Sequence, residues 1–283
     1  MTAALDGAAR IYNKAHRFWK NKVLLRRINR VFIFAFLGAA FGIVLNNAGL
    51  LPPGVAFLFP ASPFYAIQLA FTLILAQEVI GLIFAIAGSV SKAVGKQLEI
   101  MALVMLRDCF TDIGQLEAQI TTAQDYFVLL QIVSTALAGL LLFIFRGIFF
   151  QVHVSRGYKN MHRYITAKKN ISLLLLCVFL VAGIYDLYGV FIEGRATAFF
   201  QIFYTVLIFT DILIVLVSQY YLGSFHDTFR YSGYAVSTLM MRIALGSPHH
   251  VGAALCVFAG LFLLALTWAT RRWAPLDAKR TGL

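Results

Sequence analysis

Six long apolar runs constrain the fold of this chain more than any other feature. They lie near 31–50, 64–90, 126–148, 171–192, 197–222 and 251–270. A helix needs about 20 apolar residues to cross the hydrocarbon core of a bilayer. Hydrophobic residues make up 60% of the 283 residues, and charged residues make up only 13%, about half the share in a soluble domain. The sequence therefore predicts an all-α, polytopic transmembrane helical bundle.

Two further segments, 96–112 and 233–247, are shorter and more polar than these runs. The first begins with KQLEIMALVMLRDC, in which Glu99, Arg107 and Asp108 interrupt the apolar residues. Fourteen helical residues reach about 21 Å, whereas the hydrocarbon core is about 30 Å thick. Each segment therefore either crosses the membrane as an undersized helix or lies at its surface as an interfacial or re-entrant helix.

The distribution of lysine and arginine distinguishes these topologies, because cytoplasmic loops carry an excess of both residues. With six crossings, the basic stretch 149–170 faces outside, and the cytoplasmic side then has only a small excess of basic residues. With eight crossings and both termini inside, all of the 24 basic residues except Arg107, Arg195 and Arg242 face the cytoplasm. We therefore predict a multi-pass protein of about eight crossings, two of them short, in the cytoplasmic (inner) membrane of a bacterium.

The order of the segments also predicts an internal repeat. Each half, 31–148 and 171–270, has a long helix, a long helix with a central carboxylate, a short helix with an arginine, and a long helix. Glu78 then corresponds to Asp211, and Arg107 corresponds to Arg242. Two parallel four-helix repeats, related by an axis along the membrane normal, are a known plan of transporters.

Three basic segments flank the two halves. Residues 1–30 place apolar side chains at helical spacing among lysines and arginines, which predicts an amphipathic interfacial helix on anionic headgroups. A binding arm for a cytoplasmic partner is the alternative. Residues 149–170 are predicted to be a basic cytoplasmic loop, and residues 271–283 a basic cytoplasmic tail. Lipid contacts and cytoplasmic loops account for the net charge of +12, so we expect no nucleic-acid partner.

Ionisable residues at mid-membrane depth are the candidate functional residues. A carboxylate near the middle of an apolar run is costly unless it faces a cavity or a partner. The candidate ion pathway consists of Glu78, Asp211, Gln77 and Gln131, and the expected counter-charges are Arg107 and Arg242. Two interpretations stay open: the ion pairs lock the helices of each half together, or the carboxylates line a path for a cation or proton.

The chain contains no sequence pattern that indicates catalysis, a metal site or a haem. Protease, hydrolase and nucleotide-binding motifs are missing, no histidine lies within a predicted span, and the three cysteines lack metal-site spacing. We therefore predict a channel or transporter for a small ion, with a monovalent cation or proton favoured, and neither enzyme activity nor a cofactor. The alternative is a non-transporting scaffold or sensor subunit of a larger complex. A homo-oligomer or a partner subunit is compatible with either function.

Overall fold

The computed structural model describes residues 2–52, 59, 62–114, 123–152, 162–189, 199–222 and 225–280. These residues form nine helices and no strand. In chain order the helices are α1 (Thr2–Trp19), α2 (Lys22–Asn47), α3 (Phe64–Gly88), α4 (Val90–Ile113), α5 (Ala123–Val152), α6 (His162–Tyr188), α7 (Phe199–Leu222), α8 (Phe225–Leu245) and α9 (His249–Arg280). The all-α prediction is therefore confirmed for the described part of the chain.

Five of these helices are long and apolar enough to cross a membrane. They are α2, α3, residues Asp125–Val152 of α5, residues Tyr164–Asp186 of α6 and residues His249–Trp273 of α9. A shorter apolar stretch, Thr205–Tyr221, forms most of α7. The predicted helical membrane bundle is thus supported by the length and composition of its helices.

The two segments predicted to be undersized helices belong to helices of full length. α4 has 24 residues and α8 has 21, which correspond to about 36 Å and about 32 Å of helix. The predicted segments 96–112 and 233–247 are shorter than these helices because both helices begin with polar turns that a search for apolar runs does not include. Side chains of these turns are nevertheless buried, among them Ser91, Asp227 and Arg230.

α4 packs against four other helices, α3, α5, α8 and α9. Thirteen of its 24 residues are buried. Its contacts extend over its whole length: Thr111 lies beside Gln68 of α3 near one end, and Gly95 packs against the Phe150 ring of α5 near the other. These contacts favour a position of α4 within the bundle over one in which α4 lies flat on the headgroups.

α9 runs antiparallel to α8 and parallel to α5. At one end of α8, the ring nitrogen Nε2 of His226 lies 2.8 Å from the carbonyl oxygen of Thr270. At the other end, Gly252 lies against the backbone of Ala244. Arg271 donates a 3.2 Å hydrogen bond to the last residue of α5, Val152. These contacts join the two predicted halves side by side.

Residues 1–30 form two elements rather than the single predicted helix. α1 ends at Trp19, and the Asn21 side chain caps α2 by accepting a 3.0 Å hydrogen bond from the Val23 amide. α1 packs mainly against α6, and Tyr12 donates a 3.0 Å hydrogen bond to the Phe84 carbonyl at the end of α3. The basic residues after Asn21 therefore belong to the first turns of α2.

Helices also cover most of the other two basic segments. α5 continues to Val152 and α6 begins at His162. Only residues 153–161 of the predicted loop 149–170 therefore lie outside the described residues. α9 continues to Arg280, so the predicted tail 271–283 is helical over most of its length. The cytoplasmic location of both segments stays a prediction.

Acidic pH is expected to weaken the docking of α1. The His16 ring stacks on Phe84 with 5.2 Å between ring centroids. Burial, together with the positive charges of Lys20 and Lys169, lowers the pKa of His16 below its usual 6.5. The docked state therefore opposes protonation, and docking weakens as the pH falls below about 6.5. A nitroxide label on an Arg10→Cys, Cys177→Ser variant should become more mobile between pH 8 and pH 5.

The matched control for this prediction is His16→Phe in the same labelled background. This change keeps an aromatic ring beside Phe84 but removes the titrating group, so label mobility should no longer depend on pH. If the label on the protein that keeps His16 is equally mobile at every pH between 8 and 5, the role of His16 would be contradicted.

Candidate functional site

Asp211 and Arg242 form an ion pair in the interior of the bundle. Arg242 Nη2 lies 2.7 Å from Asp211 Oδ2, and Thr238 Oγ1 donates a 2.8 Å hydrogen bond to the same oxygen. Only 14% of the Asp211 side chain and 7% of the Arg242 side chain are exposed. The pairing expected from the sequence is present, and it joins the middle of α7 to α8.

Glu78 has a different partner from the predicted one. Lys96 of α4 forms ion pairs with Glu78 of α3 and, at 2.6 Å, with Glu99, while Arg146 of α5 pairs with Glu99. We call these four residues the charge cluster. Their side chains are 22% to 37% exposed. The charge cluster therefore links α3, α4 and α5 at a surface of the bundle.

Arg107 does not reach Glu78. It pairs with its neighbour in the sequence, Asp108, at 2.9 Å. Arg107 is eleven residues beyond Lys96 on α4, which places it about 16 Å further along the helix axis. The predicted Glu78–Arg107 pair is thus wrong, and the two halves differ in their charge pairing. The internal repeat stays a prediction.

Gln77 and Gln131 do not lie beside Asp211. Gln77 Oε1 is buried without a hydrogen-bond partner among the described residues. Gln131 lies on α5, where its carbonyl oxygen accepts hydrogen bonds from Ser134 and Thr135. Neither glutamine lines the cavities that adjoin Asp211.

Two small cavities lie between α3, α4, α7 and α8. Each has a volume of about 20 Å³, enough for about one water molecule. Asp211 and Tyr231 line the first cavity, Arg242 lines the second, and Gln97 and Thr238 line both. Gln97 and Thr238 thus form the wall between the two cavities.

The residues that line these cavities follow one face of α4 and one face of α8. On α4 they are Val90, Ala93, Val94, Gln97, Ile100 and Met101. On α8 they are Tyr231, Tyr234, Ala235, Thr238, Met241, Arg242 and Leu245. Intervals of three and four residues place side chains on one side of a helix, and the α8 set extends over about 21 Å. The cavities therefore form a row along the helix axes, which we call the seam.

The seam is chemically simple. Its lining contains one carboxylate, Asp211, one guanidinium, Arg242, and a small number of uncharged polar groups among apolar side chains. The two charges neutralise each other in the observed pairing. Because each cavity holds about one water molecule, the seam offers single waters and hydroxyl groups rather than a wide aqueous channel.

The described residues contain no group of three or more histidine, cysteine, aspartate or glutamate side chains placed to hold a metal ion. No protein-family model, curated protein or solved structure matches this chain.

Sequence reasoning misses Lys96, Gln97 and Thr238 as site residues. The i, i+3 spacing of Lys96 and Glu99 is a signal for a polar face on α4. Gln97 and Thr238 resemble the isolated polar residues that hydrogen-bond between helices in many membrane proteins. Their position in the wall shared by both cavities depends on how α4 and α8 pack, which the sequence alone does not reveal.

Proposed function

We propose that this chain is an integral membrane transport protein, a channel or transporter, that conducts a small cation along the seam. The row of two cavities, with Asp211 in the lining of the first and its partner Arg242 in the lining of the second, is the observation that carries this proposal. Ionisable side chains at mid-membrane depth typically mark ion paths and proton relays, because they are otherwise too costly to keep there. The charge cluster does not line the seam, so the proposed path does not include Glu78.

Conduction along the seam requires α4 and α8 to cross the membrane beside α3 and α7. Their lengths of about 36 Å and about 32 Å exceed the thickness of the hydrocarbon core. Eight crossings with both termini in the cytoplasm also give the strongest excess of basic residues on the cytoplasmic side. On this topology, the exposed basic residues of α1 lie at the anionic headgroups, with a cytoplasmic partner as the alternative.

The size of the cavities favours the proton among the monovalent cations. A hydrated metal cation brings several water molecules, whereas each cavity has room for about one. A proton needs only a chain of single waters and hydroxyl groups that ends at a titrating side chain. Asp211 takes up the proton on its carboxylate, and Arg242 keeps its charge. The proton then passes from the carboxylate to the next water or hydroxyl group of the chain, which leaves Asp211 ionised beside Arg242.

The decisive experiment measures proton flux into liposomes that contain the purified protein, with an internal pH dye and an imposed potassium diffusion potential. Asp211→Asn removes the titrating group, and flux should fall to the level of empty liposomes. Asp108→Asn is the matched control, because it neutralises an aspartate paired with Arg107 outside the seam, and it should retain wild-type flux. Wild-type protein without flux, or full flux in Asp211→Asn, would refute the proposal.

Thr238→Val tests the wall between the cavities without altering a charge. Valine has nearly the shape of threonine but lacks the hydroxyl group that bonds Asp211, so we expect proton flux to fall severalfold. Thr135→Val is the control, since Thr135 is equally buried but does not line the seam. Equal flux in both variants would show that the Thr238 hydroxyl has no part in conduction.

A non-transporting scaffold or sensor subunit is the second candidate function. The observation that favours it is the pairing of both central carboxylates with cations, Glu78 with Lys96 and Asp211 with Arg242. In that case the pairs serve only to hold helices together. The wild-type protein would then show no proton flux, and the only effect of Asp211→Asn would be a lower free energy of unfolding.

A further inference from the structure

One stripe of α4 remains open at the surface between α3 and α5. Its exposed and half-exposed residues are Lys92, Lys96, Glu99, Leu103, Leu106 and Phe110. They follow each other at alternating intervals of four and three residues, the spacing with which one helix packs along another. The stripe lies on a different face of α4 from the residues that line the seam. α4 therefore presents a helix-packing surface that no helix in the described part of the chain occupies.

The charge cluster makes this surface unsuited to lipid tails. Glu78 lies near the middle of α3, and each side chain of the charge cluster remains 22% to 37% exposed. Charged groups at this depth are costly where they meet hydrocarbon, even when they pair with one another. The stripe therefore fits a partner that carries charges at the same depth.

A second copy of this chain has that property. The charge cluster contains two carboxylates and two cations, so the surface is complementary in charge to itself. Two copies inserted in the same direction can be related by a twofold axis along the membrane normal, which brings the same patch of each copy together at one depth. Lys96 and Arg146 of one copy then face the carboxylates of the other. Leu106 and Phe110, each 37% exposed, meet their equivalents further along the stripe.

We propose that this chain forms a parallel homodimer in the membrane through the α4 stripe, with the charge clusters of the two copies in contact. Each copy keeps its own seam, because the seam residues of α4 face α7 and α8 instead. The dimer therefore does not depend on the proposed transport function, and a protein without flux would still dimerise.

Cysteine cross-linking of purified protein in lipid nanodiscs and liposomes tests this interface with no other protein present. Leu106→Cys in a Cys177→Ser background should form a disulfide-linked dimer on mild oxidation, because the twofold axis brings the two cysteines close together. Leu180→Cys in the same background is the control, since Leu180 is more exposed than Leu106 and lies on α6, which packs against α1, α3 and α7. Dimer yields no higher for Leu106→Cys than for Leu180→Cys would overturn the proposal.

Single-molecule photobleaching of labelled protein in liposomes tests the role of the charges. Glu99→Gln leaves Arg146 without its carboxylate and should lower the dimer fraction severalfold, whereas Asp108→Asn, outside the charge cluster, should not. An unchanged dimer fraction in Glu99→Gln would overturn the charge contact. Wild-type protein that is monomeric at every density would show that lipid covers the stripe, and this too would overturn the proposal.

Discussion

Replacing Arg242 by glutamine is expected to lower the free energy of unfolding by about 3–5 kcal/mol, the usual effect of breaking a buried ion pair from one side. Arg242 is 7% exposed, and its partner Asp211 is 14% exposed. Without the guanidinium, the Asp211 carboxylate keeps the Thr238 hydroxyl as a donor but loses its counter-charge. The midpoint of unfolding in detergent, followed by circular dichroism, measures the loss.

Arg107→Gln is the matched control, because it changes the same residue type at the position that the predicted repeat equates with Arg242. Arg107 and Asp108 are 31% and 19% exposed, and ion pairs near the surface contribute about 1 kcal/mol or less. The double variant Asp211→Asn, Arg242→Gln removes both charges and should recover much of the stability lost in Arg242→Gln. Equal losses in Arg242→Gln and Arg107→Gln would contradict a buried Asp211–Arg242 pair.

The same two arginines show what the sequence can predict about this site. Asp211 and Arg242 pair as expected because Asp211 is the one carboxylate in the sequence of α7, and Arg242 lies on the neighbouring helix α8. Glu78 is different, because its partner depends on where α4 begins. If the helix starts at Lys96, the ammonium lies at a membrane surface. With the observed start at Val90, Lys96 lies nearly two turns inside the helix, opposite Glu78.

Hydropathy misjudges α4 and α8 for a physical reason. α4 is the helix with the most helix neighbours in the bundle, so its side chains contact other helices on most sides and need not be apolar. Gln97 and Thr238 are buried there, among apolar residues. α2, by contrast, exposes large apolar side chains such as Phe34 and Phe41 over most of its length. A search for apolar runs therefore finds helices such as α2 but underestimates the length of α4 and α8.

A single added methyl group at Gly252 is expected to lower the free energy of unfolding by about 2–3 kcal/mol, near the upper end for overpacking. In Gly252→Ala the new Cβ would lie 2.6 Å from the carbonyl oxygen of Ala244. That oxygen belongs to the backbone at the end of α8, so it moves only if α8 and α9 separate. Gly147→Ala on α5 is the control, because no atom lies within 4 Å of its new Cβ.

Gly147→Ala should be neutral or should stabilise the protein by up to about 1 kcal/mol, since alanine favours helix more than glycine does. Thermal unfolding measures the change in the free energy of unfolding for each variant. Changes of opposite sign would demonstrate the close crossing of α8 and α9, whereas equal changes would contradict it. The crossing also bears on the proposed conduction, because Ala244 lies two residues beyond Arg242 on α8. Separation of the two helices displaces the guanidinium from Asp211, so Gly252→Ala should alter proton flux and Gly147→Ala should not.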